Sequence, residues 1–265
     1  MSDEWFNRYP GLRFERRDNG VLWMFLDRPE VFNATDGPMH LGLSRVWLDI
    51  NDDPETRVVV VTGTGDAFSA GGDLNWISGF VGDHDAAQDI LVEATDLVHR
   101  MLACRKVIIS AINGVAVGAG LAVALMADIS LIGEDVKLTD GHMNIGVGAG
   151  DHAVLLWPLL CGMARAKYYL LTADFIDGKT AGEIGLVSKA LPSEELLAEA
   201  ERVANKLGRG PQHAIRGTKR ALNLWLSQST PAFEASAALE IMNFLSADAA
   251  EGVNAMREKR RPDFA

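Results

Sequence analysis

The sequence predicts an α/β core followed by a helical C-terminal region. Two observations carry this expectation. Short β-branched or apolar runs alternate with stretches of helical periodicity through roughly the first 190 residues, and after Pro192 nearly every segment shows helical spacing alone. A chain of 265 residues with 48% hydrophobic and 23% charged residues is long enough to bury a sizeable core and has the composition of an ordered globular protein.

The elements follow in order. Residues 12–16 and 21–26 read as strands joined by Asp18-Asn19-Gly20, a hairpin turn in which Asn and Gly tolerate positive φ. Leu43, Val46, Trp47 and Ile50 give residues 39–50 helical spacing. The V-V-V-V run within 57–62 reads as a fully buried strand. A helix is expected over 90–102, a strand over 107–112, a helix over 119–126 and a strand over 129–132. Residues 151–160 and 164–171 read as helices and 186–190 as a strand. Beyond a boundary near Pro192, helices are expected over 193–207, 211–226, 231–245 and 247–259, several with Ser, Glu or Pro start signals. The chain therefore divides into a core, residues 1–192, and a helical region, residues 193–265, that caps the core or another subunit.

The charge restricts the partners. The formal charge is −11, which opposes nucleic-acid binding because phosphate affinity comes from Lys and Arg, although a local basic pocket for a small anion stays open. Cys104 and Cys161 form no disulfide framework and no metal spacing, and read as reduced core thiols of a cytosolic protein. The first ten residues lack the apolar stretch of a secretory signal. The apolar stretch 107–127 is long enough to span a bilayer, but Asn113-Gly114 breaks it into a strand, a turn and a buried helix, so no membrane span is expected.

Gly-rich turns are the first candidates for chemistry: Gly63-Thr64-Gly65, Gly71-Gly72, Gly118-Ala119-Gly120 and the series Gly146, Gly148, Gly150. None is followed by Lys-Ser/Thr as in a phosphate loop, none has dinucleotide-site spacing, and Ser69 is not in a nucleophile elbow. Such turns supply free N–H groups at helix starts, and two of them facing one pocket make an oxyanion hole. A tight turn without a ligand is the alternative for any one of them.

Five motifs in order carry a resemblance. F-S-A-G-G-D-L (68–74), A-I-N-G-V-A-V-G-A-G (111–120), A-D-I-S-L (127–131), G-E-I-G-L-V-S-K (182–189) and E-G-V-N-A-M-R-E-K-R (251–260) resemble the successive signatures of the crotonase, or enoyl-CoA hydratase/isomerase, superfamily. The resemblance implies a spiral of ββα units with a helical C-terminal region, assembled as homotrimers or dimers of trimers. It implies an acyl-CoA substrate, with coenzyme A part of that substrate and no separate cofactor. The implied oxyanion-hole residues are Ala70 and Ala119. The implied CoA contacts are Ala70, Asp73, Leu74 and Lys259, the last being equally readable as a solvated helix end among Arg257, Arg260 and Arg261.

The chain departs from the family where hydratases carry two glutamates: the matching positions are Ala122 and His142. Asp140-Gly141-His142, Gly150-Asp151-His152-Ala153 and Trp157-Pro158 instead resemble locally the β-dicarbonyl-cleaving branch of the superfamily, of which 6-oxocamphor hydrolase is a member. That resemblance implies His142 and Asp151 as catalytic and, more loosely, His40 and Glu240. An imidazole moves protons near neutral pH, and a neighbouring carboxylate would orient it. The plain alternatives are Asp151 as a helix N-cap and His142 and His40 as hydrogen-bonded structural histidines. His152 is expected to diverge from Asp151, as adjacent residues on a helix do. His84 in a polar loop, His99 on a helix and an exposed His213 are given no role, and the histidines show no metal motif.

The expected function is enolate chemistry on an acyl-CoA with a His/Asp pair replacing the two glutamates. Hydrolytic C–C cleavage of a β-dicarbonyl is the alternative. From a different class, a non-catalytic acyl-CoA- or RNA-binding relative stays open because the glutamates are missing.

Overall fold

The computed structural model describes residues 3–264. A hairpin opens the fold: β1 (Leu12–Arg17) pairs antiparallel with β2 (Val21–Leu26) across a turn in which Asn19 has φ 62° and Gly20 φ 71°. Helix α1 (Gly37–Asp52) starts two residues before the expected 39, because Asp36 caps it by accepting from Met39 N and Pro38 suits its first turn. Three units of two strands followed by helix come next. They are β3 (Val58–Gly63) and β4 (Ala67–Ser69) with α2 (Leu74–Ile77) and α3 (His84–Ala103); β5 (Val107–Ile112) and β6 (Val115–Val117) with α4 (Gly118–Leu125); and β7 (Ile129–Gly133) and β8 (Lys137–Thr139) with α5 (Ala153–Leu160) and α6 (Met163–Thr172). The core closes with β9 (Ile176–Asp177), α7 (Gly178–Glu183) and β10 (Lys189–Leu191). The chain ends in α8 (Leu196–Gly208), α9 (Gln212–Leu226), α10 (Thr230–Phe244) and α11 (Ala247–Arg257).

The units wind as a spiral. In each, the first strand enters a six-stranded sheet of order β1-β2-β3-β5-β7-β10 and the second enters a four-stranded sheet of order β4-β6-β8-β9. All pairings are parallel except β1–β2 and β8–β9. The corners between sheets are tight. A Cβ on Gly114 would collide with the Asp66 carbonyl, and Asn113 stitches neighbouring turns by accepting from Gly63 N at 3.0 Å while donating to Gly65 O at 2.9 Å. The small sheet is absent from the sequence expectation, since strands of two or three residues carry no readable period.

The run Val58–Val61 is fully buried because both faces of the large sheet are covered. Val59 and Val61 face the main core with Leu22, Met24 and Ile108; Val58 and Val60 face Ala200 and Ala204 of α8. The apolar stretch 107–127 breaks at Asn113-Gly114 into strand and helix as expected, with the short β6 between them not foreseen, and among the described residues no helix is long and apolar enough to cross a membrane.

Several boundaries need correction. Helix α3 begins at His84 rather than 90, so His84 is in its first turn and not in a loop; Asp83 caps the turn through Asp85 N and Ala86 N. Helix α5 begins at Ala153, not Asp151, because His152 sits at the cap with φ −161°. The last strand is Lys189–Leu191, a turn later than expected.

The helical region is fastened by a buried ion pair. Lys219 of α9 donates to Asp128 Oδ2 at 2.7 Å and to the Lys106 carbonyl at 2.8 Å, and Asp128 Oδ2 also accepts from Ile108 N at 2.8 Å. Burial pushes the Asp128 carboxyl up, and Lys219 opposes that rise. Lys219→Met would leave that carboxylate without its cation and should lower stability by about 3–5 kcal/mol. Urea denaturation checks this: the added loss from Asp128→Asn in the Lys219→Met background should be far smaller than its loss alone.

Candidate active site

One cavity gathers most of the residues singled out in the sequence. Its wall includes Gly72, Leu74 and Trp76, the first turn of α4 at Gly118-Ala119, and the groups His40, Asp140, His142, Asp151 and Glu240.

Backbone amides come first. The strand segment at Gly72 runs parallel to Thr35: Thr35 N donates to Gly71 O at 2.7 Å and Asp73 N donates to Thr35 O at 2.9 Å. In such a ladder the intervening Gly72 N–H points away from Thr35, and it has no acceptor among the described residues. Ala119 lies in the first turn of α4, where N–H groups lack intrahelical partners and the helix dipole favours negative charge. Helix α4 approaches closely because Gly120 packs on Ser69, where a Cβ would collide. Ala70, the expected partner of Ala119, needs correction: its N–H is already engaged by the Phe32 carbonyl at 2.9 Å. The free amide is two residues on, at Gly72.

The acid–base cluster is built around His142, on a 3-10 turn after β8. Gly141, at φ 78°, bends the chain so that residues 140 and 142 turn toward each other. His142 Nδ1 lies 2.8 Å from Asp140 Oδ1, while Nε2 faces Glu240 Oε1 at 3.4 Å and Asp151 Oδ2 at 3.9 Å. Asp151 is therefore not the residue that orients His142; Asp140 is. Asp151 holds His152 Nδ1 at 2.6 Å instead, and the non-helical backbone at His152 lets these neighbours meet, contrary to the expected divergence. Nor does Asp151 cap α5. Glu240 arrives from α10 and is fixed by Gly150 N, which donates to Oε2 at 3.0 Å.

These contacts set the charges. Burial disfavours a charged His142, but Asp140, Glu240 and Asp151 outweigh it and raise its pKa well above the usual 6.5. For Asp151, burial pushes up, yet His152 and His142 hold the carboxyl well below the usual carboxylate range. Glu240 is raised, chiefly by burial. The surrounding carboxyl groups thus favour the protonated form of the His142 ring, which suits it to give a proton. His142, Asp151 and Glu240, and separately Asp140, Asp151 and His152, also present ligand atoms within 4.8 Å of one another, a spacing able to hold a cation.

The remaining sequence candidates separate. His40 lies in the cavity wall with Nδ1 2.7 Å from Glu93 Oε2. Ala70 and Leu74 line the cavity, whereas Asp73 caps α2 through Asn75 N and Lys259 is exposed beyond α11. His99 pairs with Glu234 and His213 is exposed. Cys104 and Cys161 are buried free thiols.

Sequence reasoning missed Asp140, Gly72 and Glu93 as functional residues. The Asp-Gly-x spacing around Gly141 signals the first. Nothing local signals Glu93, which meets His40 only because α3 packs on α1.

Comparison with known proteins identifies the family. The enoyl-CoA hydratase/isomerase family model matches residues 16–265. A crotonyl-CoA hydratase of Syntrophomonas wolfei is 29% identical over 97% of this chain and 98% of its own. The crystal structure of an enoyl-CoA hydratase/isomerase from Mycobacterium paratuberculosis superposes with a TM-score of 0.87 at 33% identity, covering 92% of this chain and 97% of that one. A β-diketone hydrolase from the cyanobacterium Anabaena sp. PCC 7120, bound to (S)-3-oxocyclohexyl acetic acid, superposes at 0.85 with 29% identity, covering 92% and 98%. With the ββα spiral, the free amides at a helix start and a family match across nearly its whole length, this chain belongs to the enoyl-CoA hydratase/isomerase, or crotonase, family of enzymes.

Proposed function

We propose that the enzyme acts on an acyl-CoA through an enolate. The substrate C=O sits between the Gly72 and Ala119 amides, and His142 moves the proton at the α-carbon in place of the two family glutamates. The observation that supports this most is the Asp140–His142 pair at 2.8 Å, set in the same cavity as the two amides. Ala122 offers no proton carrier on α4, so the chemistry falls to the His142 cluster. As negative charge grows on the substrate oxygen, two preorganised N–H donors meet it, and the imidazolium delivers its proton to the enolate carbon.

The CoA portion would pass Ala70 and Leu74 at the cavity and reach Asp73 and Lys259 outside it. Met256, in the last turn of α11 just before Lys259, lines the cavity, which puts the end of α11 near its mouth. A homotrimer or dimer of trimers is the proposed assembly, with exposed apolar side chains such as Leu222, Trp225 and Met242 available to cover. The charge of −11 argues against an RNA partner, and two buried free thiols suit a cytosolic setting.

A second reading, hydrolytic cleavage of a β-dicarbonyl, is favoured by the histidine–carboxylate cluster at His142 and by the similarity to the Anabaena β-diketone hydrolase. Water's oxygen bonds to one carbonyl carbon, the C–C bond breaks, its electron pair becomes the enolate, and a proton returns to the α-carbon. Assays with crotonyl-CoA and with cyclohexane-1,3-dione separate the readings. Acyl-CoA binding by calorimetry without turnover of either would leave the non-catalytic relative.

His142→Ala should lower kcat/KM about 10²–10⁴-fold. Adding Asp140→Asn to it should cost little more, because the two act as one unit. Steady-state rates of the single and double variants test this, and independent losses would leave both residues structural. Ala119→Pro removes one oxyanion donor at a position where helices accept proline, and should lower kcat about 10²–10³-fold with the fold intact by circular dichroism.

The sign of the pH effect follows from the raised pKa of His142, whose ring is faced by Asp140, Glu240 and Asp151, with His152 behind the last. The imidazolium, and the stability it lends the folded state, persist through the ordinary His range and are lost as pH rises through the folded value. Activity that uses this proton should therefore fall on the alkaline side of neutrality. Asp140→Asn should move that limb to lower pH, read from kcat/KM profiles.

A further inference from the structure

The cavity holds a second histidine–carboxylate couple that the reaction above does not use. His40, on α1, is 5% exposed, and its Nδ1 lies 2.7 Å from Glu93 Oε2 of α3. Its ring lies 4.9 Å from that of Trp76 at 42°. Nε2 makes no hydrogen bond among the described residues, although the ring lines the cavity that contains Gly72, Ala119 and His142. A histidine kept only for packing normally has both nitrogens satisfied when buried. Here one nitrogen is tied to a carboxylate and the other has no hydrogen-bond partner among the described residues, in a residue that lines the cavity. In the tautomer whose Nδ1–H donates to Glu93, Nε2 carries the lone pair and can act as a base.

We propose that His40, oriented by Glu93, takes the proton from the attacking water, while His142 supplies the proton to the α-carbon. The inference rests on the enolate reading above and assigns its two proton transfers to different walls of the cavity. One group cannot be donor and acceptor in the same step, and His142, with Asp140 at Nδ1 and Glu240 and Asp151 facing Nε2, is placed to hold the proton that is given. In hydration, water's oxygen bonds to Cβ as His40 Nε2 takes its proton. The C=C electron pair moves to the enolate, and His142 Nε2 gives its proton to Cα. In β-dicarbonyl cleavage, the same oxygen bonds to the carbonyl carbon, the C–C pair becomes the enolate, and the same two protons move. Each route adds one H2O. Proton exchange with solvent returns both rings to their starting states. Glu93 is a positioning residue that acts through His40.

The two roles can be separated by partial reactions. Exchange of α-protons with D2O runs the donor step in reverse, neutral His142 taking a proton from Cα and returning a deuteron, so it is followed on the alkaline side of neutrality where the ring has given up its proton, and it needs no water attack. Butyryl-CoA serves as the exchange probe for the thioester route and 5-oxohexanoate, the cleavage product of cyclohexane-1,3-dione, for the other, followed by NMR. His40→Gln keeps a side chain able to bond Glu93. It should lower turnover of crotonyl-CoA or of the dione about 10²–10⁴-fold while exchange continues near the wild-type rate. His142→Ala should lose both. Glu93→Gln should lower kcat with KM unchanged and exchange retained, and Glu93→Asp should recover part of the loss. Exchange that falls in step with turnover in His40→Gln, or turnover that survives it, overturns the assignment. Wild-type protein that exchanges neither probe sinks the enolate reading itself, a distinguishable failure.

Discussion

A buried imidazole faced by three carboxyl groups is the constraint around which this site is organised. A charged ring as buried as His142 is costly unless its charge is matched, and the fold matches it with groups from three places in the chain. Asp140 comes from the end of a strand, Asp151 from the loop before α5, and Glu240 from α10, about a hundred residues later. The carboxylates in turn need partners, which explains His152 against Asp151 and the Gly150 amide against Glu240. Removing any member leaves a buried charge unmatched, so the cluster stands or falls as a unit.

The two free amides of the cavity depend on a different property of the fold. In the spiral, each second strand ends in a tight corner, and the chain leaves it with a glycine or a helix start. That geometry leaves N–H groups without ladder partners beside the cavity, at Gly72 and at Ala119. The donors are main chain, so they tolerate a change of side-chain chemistry nearby. On the proposed reading, a chain with Ala122 and His142 at the glutamate positions would keep the carbonyl-polarising amides while altering the proton-carrying side chains.

The helices after Pro192 do more than close the molecule. Helix α8 covers the outer face of the large sheet, α9 is anchored by the Lys219–Asp128 pair, and α10 delivers Glu240. Helix α11 packs so closely behind the His142 turn that Gly252 has no room for a Cβ against Ile145, and Gly146 none against Asp248. The position of the imidazole is therefore set from both sides, by the strand before it and by the last helix of the chain.

The sequence alone determined the order of the main strands and helices, the division of the 107–127 stretch, the family, and the identity of His142, Asp151, His40 and Glu240 as residues to watch. These are legible because periodicity, glycine corners and ordered motifs are properties of neighbouring residues. Tertiary structure alone decided the partners. Asp140 rather than Asp151 orients His142 because a left-handed glycine folds the chain back on itself. Gly72 rather than Ala70 offers its amide because a carbonyl at Phe32, 38 residues away in the chain, already occupies the other. Glu93 reaches His40 only through the packing of two helices. Hydrogen bonds and charge matching are set by distances in space, and a linear pattern carries no record of which distant group arrives first.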